Sequence, residues 1–386
     1  MWIVIMCLTA LLIVRFSHWV YTWGNPKCNG KLPPGSMGLP IIGETLEFFT
    51  PHSFYGIPSF ITKRMARYGP LFRTSLVGQK VIVSTDPEIN YYIFQQEGKS
   101  FILWYTESFM KVFGDKSIIA NHGLIHNNLK NLIRHLMGPE NLKNNLIHEL
   151  DVLIRGQLHS WAKHATVDLK EVTSNMMFNY SAKKLISYDE SKASRKLKDN
   201  FEAFMYGLIS FPLNIPGTTY HACLKGRKNV VKAVKDIFEE RKATKMPHND
   251  FLDHLLEEMN KEKTILNEAI IVDMILVLLF ATYESASTAM TLIVKFISDH
   301  PKVLAELTGK ELHSGSKTFM AFGGGVRLCV GADFAKLQFA IFIHYLITKY
   351  RWKFTKGEDI IRRPGLVFPN GLTIEISEKV RSEEDE

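Results

Sequence analysis

The longest apolar run in the chain is its first. No charged side chain occurs from Met1 to Val14, and the apolar character continues through Trp19, Val20 and Tyr21 to Trp23, broken only by Arg15 and His18. A helix needs about 20 mostly apolar residues to cross a bilayer, and this run reaches that length. Trp19, Tyr21 and Trp23 suit the lipid–water boundary, and Lys27 and Lys31 follow at once, so the positive-inside rule puts the rest of the chain on the cytosolic side. A cleaved signal peptide would want a basic start and a small-residue cleavage site; neither is present, and the pattern predicts a retained anchor over residues 1–23. Residues 24–40, with Lys31-Leu32-Pro33-Pro34-Gly35-Ser36-Met37-Gly38-Leu39-Pro40 at their core, cannot continue the helix and read as a stiff, extended hinge.

Beyond the hinge, Leu71–Val77 and Val81–Ser84 are β-prone runs around Gly78-Gln79, the pattern of a hairpin. Asp86-Pro87-Glu88 predicts a helix start, with an N-cap acid and proline in the first turn. From about residue 122 to 300 helical periodicity dominates, interrupted at Pro139, Pro212, Pro216, Pro247 and Pro301. Met274–Tyr283 is strongly apolar, but Asp273 and Glu284 bracket it at ten residues, too short for a second span; it predicts the buried middle of a helix from Asn267 to Asp299. Ala332–Ile347 carries Asp333, Lys336 and His344 and predicts a core helix rather than a span. A second hairpin is expected from Leu366–Phe368 and Leu372–Ile376 around Pro369-Asn370-Gly371. The class is mainly α with a small β region.

Composition narrows the field. Of the 386 residues, 46% are hydrophobic and 22% charged, which excludes collagen, a disordered tail and a mucin-like stalk. The four cysteines, at 7, 28, 223 and 329, contain no C-x-x-C pair, so neither a disulfide framework nor a zinc ribbon is indicated. The net charge of +8 comes without a basic stripe interleaved with aromatics, which argues against nucleic acid and for an acidic partner surface.

The chemistry is concentrated in Phe322-Gly323-Gly324-Gly325-Val326-Arg327-Leu328-Cys329-Val330-Gly331, which leads into the last long helix. Cys329 stands just before a helix N-terminus, where unpaired N–H groups and the dipole favour a thiolate. The glycines, Gly325 and Gly331 among them, let backbone approach something large and flat. Arg327 offers a forked cation to an anionic group. A lone cysteine is ordinarily inert filling; a thiolate, a close-approach loop and an anion clamp together describe a seat for haem iron and its propionates.

This run resembles the haem-binding signature of the cytochrome P-450 haem-thiolate monooxygenases, F-x-x-G-x-R-x-C-x-G, at every defined position. The resemblance implies the cytochrome P-450 fold, haem b with Cys329 as the axial thiolate, Arg327 on a propionate and Phe322 packed near the sulfur. A thiolate ligand pushes electron density toward the iron and favours O–O cleavage. Ala281-Thr282-Tyr283-Glu284-Ser285 looks like the family's A-G-x-[DE]-T, with Glu284 and Ser285 at the acid and hydroxyl positions that relay protons; Thr282 replaces a glycine, which would tighten the oxygen groove. His126 and Lys130 share a helix face, and in related plant members this helix presents such groups to a propionate. Phe211-Pro212-Leu213-Asn214-Ile215-Pro216-Gly217-Thr218 resembles the roof-helix loop of plant members that oxidise sterols, brassinosteroids and triterpenoids, with an apolar character suited to a membrane-facing opening.

The resemblance implies a monooxygenase domain over residues 41–386 that hydroxylates a lipophilic isoprenoid with O2. Electrons would come from NADPH through a flavoprotein reductase docking near Lys130, Arg134 and Lys336, and the chain would be a single-pass protein of the endoplasmic reticulum membrane with its body in the cytosol. One family element is lacking. The E-x-x-R helix should lie between Asp299 and Phe322, yet the chain runs through Thr308-Gly309-Lys310 almost straight to the haem loop, and its one E-x-x-R, Glu378 to Arg381, lies beyond Cys329. The join near 308–310 reads as a missing block, which leaves an alternative: a truncated, inactive isoform that acts at most as a membrane or partner-binding protein.

Overall fold

The computed structural model describes residues 2–190, 197–208, 210–244, 246–306, 320–357, 359–363 and 365–379. The expected join at Thr308–Lys310, and Arg381, lie outside them. The chain forms two compact units, one on residues 2–95 with Asp359–Pro369, the other on most of the remainder.

In the first unit Trp2–Gly24 is a single helix with no buried residue, as an anchor requires. The following segment is less free than a hinge. Pro34 O accepts from Arg73 N (2.9 Å), and Gly35 lies so close to strand β2 (Leu71–Leu76) that a Cβ on it would sit 2.0 Å from Arg73 O. Met37 is buried, and its carbonyl accepts from Trp23 Nε1 at 3.2 Å. β2 pairs antiparallel with β3 (Gln79–Ser84) in the predicted hairpin, but the loop is Val77-Gly78, one residue earlier than expected, because both take positive φ (52° and 75°). Asp86 Oδ1 accepts from Glu88 N and Ile89 N and so starts the Pro87–Gln95 helix as its sequence indicates. β1 (His52–Ser53) joins this unit's second sheet.

The second unit is a helical body. Leu169–Ile186, Leu197–Tyr206, Thr219–Thr244 and Phe251–Met259 surround Glu268–Phe280, whose residues from Ile270 to Leu279 are all buried. Asn267 caps that helix by accepting from Ile270 N at 3.0 Å. It continues through a π-helical turn, Ala281–Ala286, into Ser287–Asp299, so the predicted long helix is present and is a core element. The last long helix spans Ala332–Lys349.

The second expected hairpin does not form. β7 (Gly365–Val367) pairs with β6 (Ile361–Arg363), which also pairs with β1, whereas β8 (Thr373–Glu378) lies between β4 (Val167–Asp168) and β5 (Tyr350–Lys356) in another sheet. The physical reason is burial: Leu372, Ile374 and Ile376 bury their side chains here, and Asp168 Oδ2 holds Leu372 N at 3.0 Å. The short run Ile361–Arg363 has no strand pattern of its own, so the sequence does not mark the partner of β7.

Candidate functional site

The Phe322–Gly331 run folds as a tight loop. Cys329 N donates to Phe322 O (2.9 Å) and Leu328 N to Gly325 O (3.2 Å), closing it around a 3₁₀ turn at Gly325–Arg327. Gly323 and Gly325 take φ of +77° and +60°, conformations that a side chain would strain. Gly331 is different: a Cβ there would meet only Met137 Sδ at 3.7 Å, so crowding within the protein does not demand it. Cys329 is exposed, as are Val326 and Leu328 beside it. Cys223 shows the contrast: it is fully buried, donates to Phe204 O at 3.1 Å, and burial pushes its thiol up to about 11, an inert core residue. Phe322 lies under the Lys336 ammonium, 5.7 Å from its ring centre.

The Gly123–Met137 helix brings His126 and Lys130 to this loop. Lys130 Nζ donates to Val326 O at 2.6 Å, and burial holds the ammonium below its usual range. His126 is buried with neither ring nitrogen hydrogen-bonded, and burial, with Arg327 and Lys130 beside it, pushes its imidazole down. Arg327 Nη2 donates to Asn121 O at 2.9 Å and meets His122 Nδ1 at 2.9 Å, while its Nε pairs with Glu97. Glu97, Asn121 and His122 were not singled out from the sequence, and no motif or spacing marks them: they reach Arg327 from more than two hundred residues away.

The π-turn divides the two residues expected to relay protons. Ala281 and Ser285, one turn apart, are exposed, while Thr282, Tyr283 and Ala286 between and after them are buried. Glu284 points elsewhere. Its carboxylate accepts from Lys170 Nζ (3.2 Å) and from Thr288 Oγ1 (3.4 Å), and no hydrogen bond joins it to Ser285 among the described residues. Lys170 also donates to Ser287 Oγ and Thr288 Oγ1, both at 2.8 Å, and burial lowers its ammonium while Glu284 pulls it back up. The hydroxyls of this stretch explain the wide turn: Thr282 Oγ1 donates back to Leu278 O and Leu279 O, and Ser287 Oγ to Tyr283 O. Thr282 is buried and lines an apolar cavity with Met137, Tyr180, Leu185 and Phe334.

The donor set fits the haem that the sequence resemblance implies. An exposed thiol sits on a loop with glycine turns, flanked by exposed apolar residues, and near that loop lie two cations and a buried imidazole whose nitrogens have no hydrogen-bond partner among the described residues. An imidazole desolvated without a hydrogen bond costs roughly 1–3 kcal/mol, which a propionate oxygen would recover. Cys329, Arg327, Lys130 and His126 are the groups that would hold the ligand.

A family model described as Cytochrome P450 matches residues 33–313 and 307–374. The chain is 39% identical to Cytochrome P450 87A3 of Oryza sativa subsp. japonica over 98% of its own length and 92% of that protein's, and 33% identical to the Beta-amyrin 16-alpha-hydroxylase of Maesa lanceolata over 98% and 100%. Among solved structures, the retinoic acid-bound cyanobacterial CYP120A1 matches 90% of this chain and 99% of its own with a TM-score of 0.79 at 20% identity, a likeness of fold. The alignment to the rice protein runs over 473 positions, although the chain has 386 residues.

Proposed function

The chain belongs to the cytochrome P450 family, and from that premise we propose that it is a plant membrane-anchored haem-thiolate monooxygenase that hydroxylates a lipophilic isoprenoid of the sterol, brassinosteroid or triterpenoid class. The observation that carries the reading is the exposed Cys329 thiol on a closed glycine loop whose Arg327 lies beside a buried His126 that has no hydrogen-bond partner among the described residues. A relative that hydroxylates beta-amyrin supports the substrate class. So does the Phe211–Thr218 loop, whose Phe211, Leu213 and Ile215 are exposed as a lipid-facing surface requires.

In this reading haem supplies oxygen activation and hydrogen abstraction, and the protein supplies position and protons. Cys329 Sγ would hold the iron, and His126, Arg327 and Lys130 would hold the propionates. Ser285 Oγ, on the open face of the π-turn, holds the proton passed toward the reacting oxygen. Glu284, held by Lys170, would have to leave that ion pair to pass a proton to Ser285. Exposed Arg134 and Lys336 offer cations to an acidic reductase, which draws electrons from NADPH. The Trp2–Gly24 helix holds the body on the endoplasmic reticulum membrane.

A second reading has its own observation. The family model matches in two pieces that meet at residues 307–313, and the rice alignment needs far more positions than the chain has residues. Both are what an internal deletion near 308–310 produces, and a chain without the E-x-x-R block would keep anchor and helices yet lose catalysis. A carbon monoxide difference spectrum of the reduced protein separates the two. A thiolate-type Soret band that disappears in Cys329→Ser supports the monooxygenase, and a chain with no haem band is the truncated form.

A further inference from the structure

Arg327 is not a free cation waiting for a ligand. Nε pairs with the Glu97 carboxylate, Nη2 is taken by Asn121 O and His122 Nδ1, and Nη1 has no hydrogen-bond partner among the described residues. The Arg327 and Glu97 side chains are each only 14% exposed, so this ion pair is largely shielded from water. The surrounding groups are basic: His122, His126 and Lys130 stand with Arg327, and Glu97 is the carboxylate that acts on His126 from their midst. One acid therefore sits inside a cluster otherwise suited to binding an anion.

Resting on the haem reading above, we propose that Glu97 is a rival anion: it competes with the ligand's carboxylates for the Arg327 guanidinium and thereby sets the affinity of the seat for a dianionic porphyrin edge. The opposite role, aiming Arg327 at the ligand, is a poorer fit. Asn121 O and His122 already fix the plane of the fork through Nη2, so removing the Glu97 charge leaves the orientation in place and removes only the repulsion. The residue would then be a specificity determinant, one that keeps weakly held anions out of the cluster until a ligand arrives that brings two carboxylates and a thiolate-binding iron together.

The test is a Soret titration of the full chain, wild type and Glu97→Gln, with hemin and with hemin dimethyl ester, which lacks the propionate charges. Removing the unit charge beside Arg327 in this partly shielded site should tighten hemin binding by roughly three- to thirtyfold, with the dimethyl ester unchanged. Hemin affinity that is equal or weaker in the variant overturns the proposal, as does an equal gain for both porphyrins, because the effect would then bypass the carboxylates. A wild-type chain that binds neither porphyrin overturns the haem reading itself and this inference with it. Glu97→Asp, which withdraws the carboxylate by one methylene, gives an independent check if the glutamine variant does not fold; it should show a smaller gain of the same sign.

Discussion

Lys170 reaches from the Leu169–Ile186 helix into the π-turn and donates to Glu284 Oε2 across 3.2 Å. The same ammonium binds Ser287 Oγ and Thr288 Oγ1, so its three donors are all used. Replacing Lys170 by methionine removes the cation from Glu284, which keeps only the Thr288 Oγ1 contact, while Ser287 Oγ keeps Tyr283 O. Orphaned polar groups cost roughly 1–3 kcal/mol, and Glu284 is 37% exposed and can rehydrate, so a loss near the lower figure is expected in urea unfolding. No loss at all would class the pair with ordinary surface ion pairs.

A tighter clamp lies at Arg241. Its guanidinium grips both oxygens of Asp250, each at 3.0 Å, and also Asp253, with Arg241 6% and Asp250 2% exposed. Asp250 in turn caps the Phe251–Met259 helix by accepting from Asp253 N. Arg241→Met leaves a buried carboxylate unpaired and should cost about 3–5 kcal/mol. Arg241→Lys keeps the charge but loses the fork and should fall between it and wild type. Denaturant midpoints of the two variants check the order.

His135 and His254 stack with ring centres 4.5 Å apart and planes 22° from parallel. Burial lowers the His254 imidazole first, and His135 and Lys261 lower it further, while Glu258 and Glu257 oppose them. A histidine whose folded pKa is depressed is less willing to take a proton than in the unfolded chain, so its contribution is intact above about pH 6.5 and is lost as pH falls below that. Melting temperature should drop between pH 7 and 5, and His254→Gln should flatten that drop. An unchanged pH profile in the variant would contradict the assignment.

Two glycines make a graded comparison. Gly323 has φ of +77°, but a Cβ there would come no nearer than 3.9 Å to Arg327 O, so Gly323→Ala should cost about 1–2 kcal/mol, the price of the left-handed backbone alone. Gly357, at φ +84°, would place a Cβ 2.0 Å from Gly371 O, and Gly357→Ala should be the more damaging of the two. Urea unfolding of both variants reads the difference.

Helix Trp2–Gly24 has no buried residue. Deleting residues 2–21 spares the Trp23–Met37 contact, so it should leave the melting temperature unchanged and release the chain from lipid vesicles in a flotation assay.

Much of the site was legible along the chain because its parts are local. Cys329, Arg327 and the turn glycines lie within one loop, and His126 and Lys130 fall on one helix face through simple 3.6-residue periodicity. The Asn267–Asp299 helix and the capped start at Asp86 follow from short-range patterns of the same kind. Glu97, Lys170, Asn121 and His122 left no such trace, since each owes its role to a partner more than eighty residues away. The pairing of β8 is hidden for the same reason: its neighbours come from residues 167–168 and 350–356, and alternation along a strand says which face is buried but not which strands lie beside it.

The sequence by itself determined which groups can do chemistry here: a thiol before a helix, an acid and a hydroxyl side by side, cations at helical spacing, an apolar span at the start. Only the tertiary structure decided which way they face. It turned Glu284 onto Lys170, left Ser285 on the open side of the π-turn, buried Thr282 in the core, and set Glu97 against Arg327. Adjacency along a chain constrains the backbone, but a helix sends successive side chains about 100° apart, and the partner that each finds is chosen by packing between segments that the sequence keeps far apart.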